Sequence, residues 1–149
     1  MTHDPTQSEE IRALTLDHLD ECASLWVSIC NSEPFNEHWT LETARKRLSE
    51  TMNTPGFVGF VFFDNEPLGY AVGYCEQWDA ERIFYLKDIV VKTDMQRRGI
   101  GTKLIRHLEK VLKEMNVNHL YLLAEPTAEG FYAKNGYQAG GMRFMRRRL

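Results

Sequence analysis

Between Ile83 and Met115 the hydrophobic pattern changes period once, and that change limits what the chain can fold into. Ile83 to Val91 is rich in β-branched and aromatic residues and reads as a buried strand, ending at the polar Lys92, Thr93 and Asp94. From Ile100 the apolar residues fall at Ile100, Leu104, Ile105, Leu108, Val111, Leu112 and Met115, one face of an amphipathic helix of about four turns. A one-faced helix must lay that face on something, and the preceding strand supplies a sheet. The expectation is a mixed α/β sheet with helices packed on it.

The remaining segments extend this order. A short apolar strand at Ile11 to Leu14 leads into a first helix, with Leu16, Leu19, Cys22, Ala23, Trp26, Ile29 and Cys30 at helical spacing and Asp17 as its N-cap. Asn31 to Trp39 combines turn residues and aromatics without either period and reads as a loop, ended by Thr40 capping a second helix to about Asn53. Phe57 to Phe63 and Leu68 to about Gln77 form a hairpin around Asp64, Asn65, Glu66 and Pro67. His119 to Ala124 is a strand, Ala128 to Asn135 a short helix, and Tyr137 to Arg147 two short strands around Gly140 and Gly141. No repeat or linker interrupts the chain, so one domain is expected over residues 1–149, with 1–9 a flexible lead.

Composition narrows the class. With 149 residues, 43% apolar and 26% charged, the chain can bury roughly 70% of its unfolded surface and needs no staple. Its 21 acidic and 18 basic residues leave a net charge of −3, so no nucleic-acid partner is expected. The one basic run, Arg143, Arg146, Arg147 and Arg148, reads as a solvated edge strand whose charges block pairing. No apolar run approaches the ~20 residues that span a bilayer, and the polar, acidic start is unlike a signal peptide, so no membrane partner is expected. Cys22, Cys30 and Cys75 are odd in number and never in C-x-x-C spacing, which points to a reducing cytoplasm without disulfides or a metal.

Chemistry concentrates in Ile89 to Thr102, a strand, a turn with Gly99 and Gly101, and a helix start. Unpaired amides at a helix N-terminus attract an anion, and glycines let it approach the chain closely. Hydrogen bonds to a charged acceptor contribute about 1.5–3 kcal/mol each and an exposed arginine pair about 0–1, so the amides of Arg98 to Thr102 should outweigh the charges of Arg97 and Arg98. A dinucleotide fingerprint would need a glycine where Leu104 stands, and the P-loop pattern is absent.

Gln96, Gly99 and Gly101 match Q/R-x-x-G-x-G/A, and the block resembles the acetyl-coenzyme A binding motif of the GNAT superfamily of N-acetyltransferases. Ala128 to Tyr137 is similar to that family's A-x-x-F-Y-x-K-x-G-F/Y helix and turn. The resemblance implies a single-domain, mostly antiparallel sheet flanked by helices, with acetyl-CoA as co-substrate. Its diphosphate would rest on the turn from Gln96 to Thr102, through Ile100, and its pantetheine arm along Ile89, Val90 and Val91, between strands that splay apart. It gives Tyr132 the role of acid to the leaving thiolate. Lys134 faces either the adenosine phosphates or solvent.

A primary amine of pKa about 10.4 must lose a proton before attack. Many relatives have a mid-strand glutamate there, whereas this strand offers Tyr85, Lys87 and Asp88, with Glu81 just before it. Asp88, Glu81 or a water chain are the candidate bases. The loop residues Glu33, Glu37 and Trp39, with Tyr85, Asp88 and Trp78, could receive a cationic amine, or the loop is simply pinned by Phe35 and Trp39. The expected activity is direct acetyl transfer to an amine in a ternary complex, the alternative a non-catalytic acyl-CoA binding domain. Family analogy makes a homodimer reasonable.

Overall fold

The computed structural model describes residues 8–149. In chain order the elements are β1 (Glu9–Ala13), α1 (Leu19–Cys30), α2 (Leu41–Met52), β2 (Phe57–Asp64), β3 (Glu66–Trp78), β4 (Glu81–Val91), α3 (Ile100–Glu114), β5 (His119–Leu122) and α4 (Glu129–Lys134). The strands lie in that order in one sheet. β1 to β4 pair antiparallel and β5 joins β4 in parallel. The parallel pair follows from connectivity: α3 lies between β4 and β5 and carries the chain back to the same end.

Alternation along the strands splits the core in two. Phe60, Phe62, Ala71, Phe84 and Leu86 meet the apolar face of α3, where Ile100, Leu104, Ile105, Leu108 and Leu112 are buried. Val61, Tyr70, Val72 and Val90 face the other way, against Cys22 and Leu25 of α1 and Leu48 of α2. Burying a large aliphatic side chain contributes about 1.5–3 kcal/mol, so the α3 face alone is a major stabilising layer. No helix among the described residues is long and apolar enough to cross a membrane.

Thr40 caps α2 as expected: its hydroxyl accepts from the Thr43 amide at 3.1 Å, and its own amide donates to Thr43 Oγ1 at 3.0 Å. The first helix begins differently. A 3-10 turn over Leu16–His18 precedes α1, with Thr15 at its head, and Asp17 lies inside that turn instead of capping. Glu9 opens β1 opposite Asp64, so the ordered part starts before residue 10. The rest of the expected flexible lead, residues 1–7, lies outside the described residues.

The two strands expected over Tyr137 to Arg147 are not formed, and the arginine run is not an edge strand. Beyond the Tyr137 amide, which donates to the Tyr132 carbonyl at 3.0 Å, residues 138–149 are exposed and unpaired with the sheet. Gly140 and Gly141 bring no side chain to pack, with nothing within 4 Å of where a Cβ would stand. Cys22, Cys30 and Cys75 are all buried and free.

Candidate active site

β4 outruns its neighbour. It pairs with β5 only from Ile83 opposite His119 to Leu86 opposite Leu122, then continues to Val91. At the point of separation β4 carries one extra residue: Val72 faces Asp88 and Gly73 faces Leu86, leaving Lys87 as a bulge. A bulge bends its strand and re-aims side chains. Lys87 and Asp88 therefore both reach α2, Lys87 Nζ donating to Thr51 Oγ1 at 2.9 Å and Asp88 accepting from Arg47. Gly73 allows the close approach, since a Cβ there would stand 2.0 Å from the Tyr85 carbonyl oxygen.

The ladder phase fixes which backbone groups face the gap. The Lys92 amide donates to the Leu68 carbonyl at 2.8 Å, which makes that pair hydrogen-bonded. Antiparallel ladders alternate, so Val90 opposite Tyr70 is hydrogen-bonded too, and the N–H and C=O groups of Ile89 and Val91 point away from β3. Gln96 Nε2 donates to the Val91 carbonyl from that open side at 3.1 Å. Val90 spends its backbone on β3 and its side chain on the α1 and α2 core, so it offers the gap nothing.

The open edge runs into the start of α3. A 3-10 turn over Thr93–Met95 leads to Gln96 in extended conformation, Arg97 at φ 66° and Gly99 at φ 81°. Gly99 is the N-cap and supplies no side chain to the helix. Lys103 is the first residue of α3 whose amide bonds back, to Gly99 at 3.0 Å, so the amides of Ile100, Gly101 and Thr102 have no intrahelical acceptor. The exposed side chains of Arg97 and Arg98 flank this end. The two glycines do different work. Around Gly99 nothing lies within 4 Å of a would-be Cβ, and its glycine answers the left-handed backbone. At Gly101 a Cβ would stand 3.2 Å from Phe131 Cζ, so the missing side chain makes room for an aromatic ring.

Phe131 and Tyr132 come from α4. Their rings meet edge to face at 5.2 Å, and Tyr132 meets Tyr137 the same way at 5.9 Å. Tyr137 Oη donates to Glu109 Oε2 at 2.9 Å and ties this corner to α3. Burial raises the Tyr132 phenol above its ordinary pKa, and the negative charge of Asp88 adds to the rise. Tyr132 is thus a protonated phenol at neutral pH, near enough to Asp88 to feel its charge. Lys134 is exposed at the end of the same helix.

The face toward α1 and α2 is organised by Arg47, which sequence reading missed. Its Nη2 lies 2.9 Å from Asp88 Oδ1 and its Nε 3.2 Å from Oδ2, a two-pronged pair. The guanidinium carbon stands 4.9 Å from the Trp26 ring centre and 5.9 Å from that of Trp39. Trp39 is pinned in turn: its amide donates to Asn31 Oδ1 and its carbonyl accepts from Asn31 Nδ2, both at 2.8 Å, while its indole N–H donates to Glu37 at 3.1 Å. Glu33 is exposed on the same loop, and the half-buried Tyr85 packs against Tyr74 at 5.7 Å. Trp78 lies exposed at the end of β3.

Both carboxylates named as candidate bases have partners. Both Asp88 oxygens are held by Arg47. Glu81 pairs with His119 Nε2 at 2.9 Å at the far end of β4, roughly 25 Å along the strand from Ile89. Arg47 sits among other charged residues on α2, and only its depth beside Asp88 distinguishes it.

Comparison with known proteins bears on the family and the fold. Residues 19–137 match the model of the acetyltransferase (GNAT) family. A Bacillus subtilis (strain 168) protein provisionally named a ribosomal protein bS18-alanine N-acetyltransferase is 24% identical over 136 residues, covering 89% of this chain and 83% of the relative. Glucosamine-6-phosphate N-acetyltransferase from Arabidopsis thaliana superposes with a TM-score of 0.73 at 17% identity, over 93% of this chain and 97% of that one. The aminoglycoside N-acetyltransferase AAC(6')-Iy, solved with CoA, gives 0.74 at 16% identity over 95% of each chain. At these identities the superpositions establish the fold.

Proposed function

The chain belongs to the GNAT acetyltransferase family, and from that premise we propose that it transfers the acetyl group of acetyl-CoA to a primary amine by direct attack in a ternary complex. One observation carries this reading: the open edge of β4 at Ile89 and Val91 runs straight into an uncapped helix start, with the Tyr132 phenol near enough to Asp88 of β4 to feel its charge.

The residues present fit acetyl-CoA. Ile89 and the Val91 N–H offer a free strand edge to an amide-bearing arm, the same backbone pairing that adds a peptide strand to a sheet. The amides of Ile100, Gly101 and Thr102 point the positive end of α3 at a diphosphate, with Arg97 and Arg98 beside them. Bound there, the co-substrate supplies an activated thioester. The Ile89 N–H is the donor placed to stabilise charge gathering on the acetyl oxygen. Tyr132 gives a hydrogen bond, and then a proton, to a leaving thiolate whose conjugate acid has a pKa of about 8.5. With Asp88 held by Arg47 and Glu81 distant, the amine proton leaves through water.

A second reading, an acyl-CoA binding domain without catalysis, draws on the absence of a free carboxylate on the open half of β4. Release of free thiol from acetyl-CoA, measured over a panel of primary amines, separates the two. Amine-dependent release supports transfer, and cofactor binding without release with any amine supports the second reading.

A further inference from the structure

We propose that Thr51 is a positioning residue for acetyl transfer: by receiving Lys87 it holds the bulge of β4 to α2 and so fixes the direction of the Ile89 N–H. The inference rests on the proposed function, in which that N–H meets the charge gathering on the acetyl oxygen.

The bulge is where β4 has least support from its own sheet. Leu86 has register partners on both β3 and β5 and Asp88 has one on β3, whereas Lys87 has none on either strand. A residue without a ladder partner leaves the strand free to bend, so the angle of the bend must be set from elsewhere. The Lys87 ammonium reaches α2 and donates to Thr51 Oγ1 at 2.9 Å. One helical turn earlier, Arg47 grips both oxygens of Asp88, at 2.9 and 3.2 Å. Positions 47 and 51 share one face of α2, and 87 and 88 are consecutive on β4, so the helix holds the strand at two points immediately before Ile89. One point would let the strand pivot; two fix its rotation.

The choice of threonine follows from this arrangement. Thr51 is 1% exposed, one of two buried polar side chains among the described residues, on a helix that also buries Ala44 and Leu48. Valine would have the same outline there with no hydroxyl to satisfy, and a buried hydroxyl without partners costs free energy. Here the hydroxyl is used in both directions, donating to the Arg47 carbonyl at 3.1 Å and accepting from Lys87, so it also ties the two points together. Thr51 stands in the last turn of α2, where unpaired carbonyls favour a nearby cation, and a hydrogen bond from an ammonium is stronger than one between neutral groups.

Steady-state thiol release with an amine that the parent chain accepts, together with nitrogen relaxation dispersion on the free protein, tests this. Thr51→Val removes the acceptor and keeps the outline; kcat per folded molecule should fall roughly tenfold or more with the KM for acetyl-CoA unchanged. Thr51→Ser keeps the hydroxyl and should hold kcat close to the parent's, although losing a buried methyl lowers the thermal melt. A merely structural role would lower the melt in both variants and leave kcat per folded molecule intact in both. Lys87→Met should match Thr51→Val, and the double variant should lose no more than either single one. The amides from Lys87 to Ile89 should show microsecond-to-millisecond exchange in the Val and Met variants and none in the parent or the Ser variant. An unchanged kcat in Thr51→Val, or a serine variant as slow as the valine one, overturns the proposal, as do amides that stay rigid once the link is removed. If no amine supports release in the parent, the acetyl-transfer reading falls, and dispersion alone decides whether Thr51 holds the bulge.

Discussion

Gly101 and Phe131 join the two halves of the site: a Cβ at Gly101 would approach the Phe131 ring to 3.2 Å, and Tyr132 follows Phe131 on α4. The start of α3 and the placement of the phenol are therefore one packing problem. Gly101→Val should push the ring and carry Tyr132 with it, costing about 1–3 kcal/mol from overpacking. The expected result is a loss in kcat larger than the loss in CoA affinity, read by steady-state kinetics and calorimetry. Equal losses would locate the damage in the cradle alone.

Gly99 should behave differently, because no neighbour stands near it and its φ of 81° is the constraint. Gly99→Ala should cost about 1–2 kcal/mol for the left-handed backbone. Gly99→Glu should add a negative charge where the diphosphate is proposed to rest, and calorimetry should then find no CoA binding in a folded protein. Binding with unchanged affinity would remove the cradle from the functional reading.

Tyr132→Phe keeps the ring contacts with Phe131 and Tyr137 and removes only the hydroxyl. Turnover should fall by about 10²-fold or more with CoA affinity unchanged. The sign of the pH dependence follows from the raised phenol: any loss from ionisation of Tyr132 should come at higher pH than a solvated tyrosine would show. A parent kcat that declines between pH 8 and 10 through a group absent from the Phe variant would contradict this assignment.

Much of this site was legible because its parts are local. The α3 face is complete within fifteen residues, and the two glycines sit one turn from the strand that feeds them. The bulge at Lys87 was invisible, since it depends on Gly73 across the sheet. The Arg47–Asp88 pair spans 41 positions, and nothing on α2 marks one of its three basic residues as the one that turns inward. Asp17 looked like a cap because Asp is a good one, but Thr15 reached the turn first. The tail from Tyr137 to Arg147 reads as two short strands around Gly140 and Gly141, although a strand also needs a partner, and its own chain supplies none among the described residues.

Alkaline pH should unfold the protein from a known set of groups. Burial pushes the Cys22 and Cys30 thiols up to about 12, and raises Tyr70 well above the ordinary phenol range. Each is an acid whose folded pKa exceeds its unfolded one, so the unfolded chain ionises first. Their stabilisation is fully present below pH 8 and is lost progressively as pH rises, with each ionising group adding about 1.4 kcal/mol per pH unit to the slope. Urea melts from pH 7 to 11 should show a falling midpoint from about pH 9, shallower in Cys30→Ala. A flat profile would mean that these thiols are solvated.

Arg47 offers the sharpest separation of structure from catalysis. Its partner Asp88 has a side chain only 9% exposed, while Arg47 itself is 31% exposed and stacked on Trp26. Arg47→Ala leaves a nearly buried carboxylate unpaired, which costs 3–5 kcal/mol in a fully buried pair and about 2 kcal/mol once the solvent reaching Arg47 is allowed for. Arg47→Lys should recover little, because a point charge replaces neither the two-pronged contact nor the stacking. Asp88→Asn in the Arg47→Ala background should restore part of the stability by removing the stranded charge, and a double-mutant cycle in urea measures the coupling. The same Asp88→Asn change alone bears on catalysis. With Asp88 committed to Arg47, it should lower stability while leaving the acid limb of the kcat/KM profile in place. A shift or loss of that limb at full occupancy of the fold would make Asp88 the base after all.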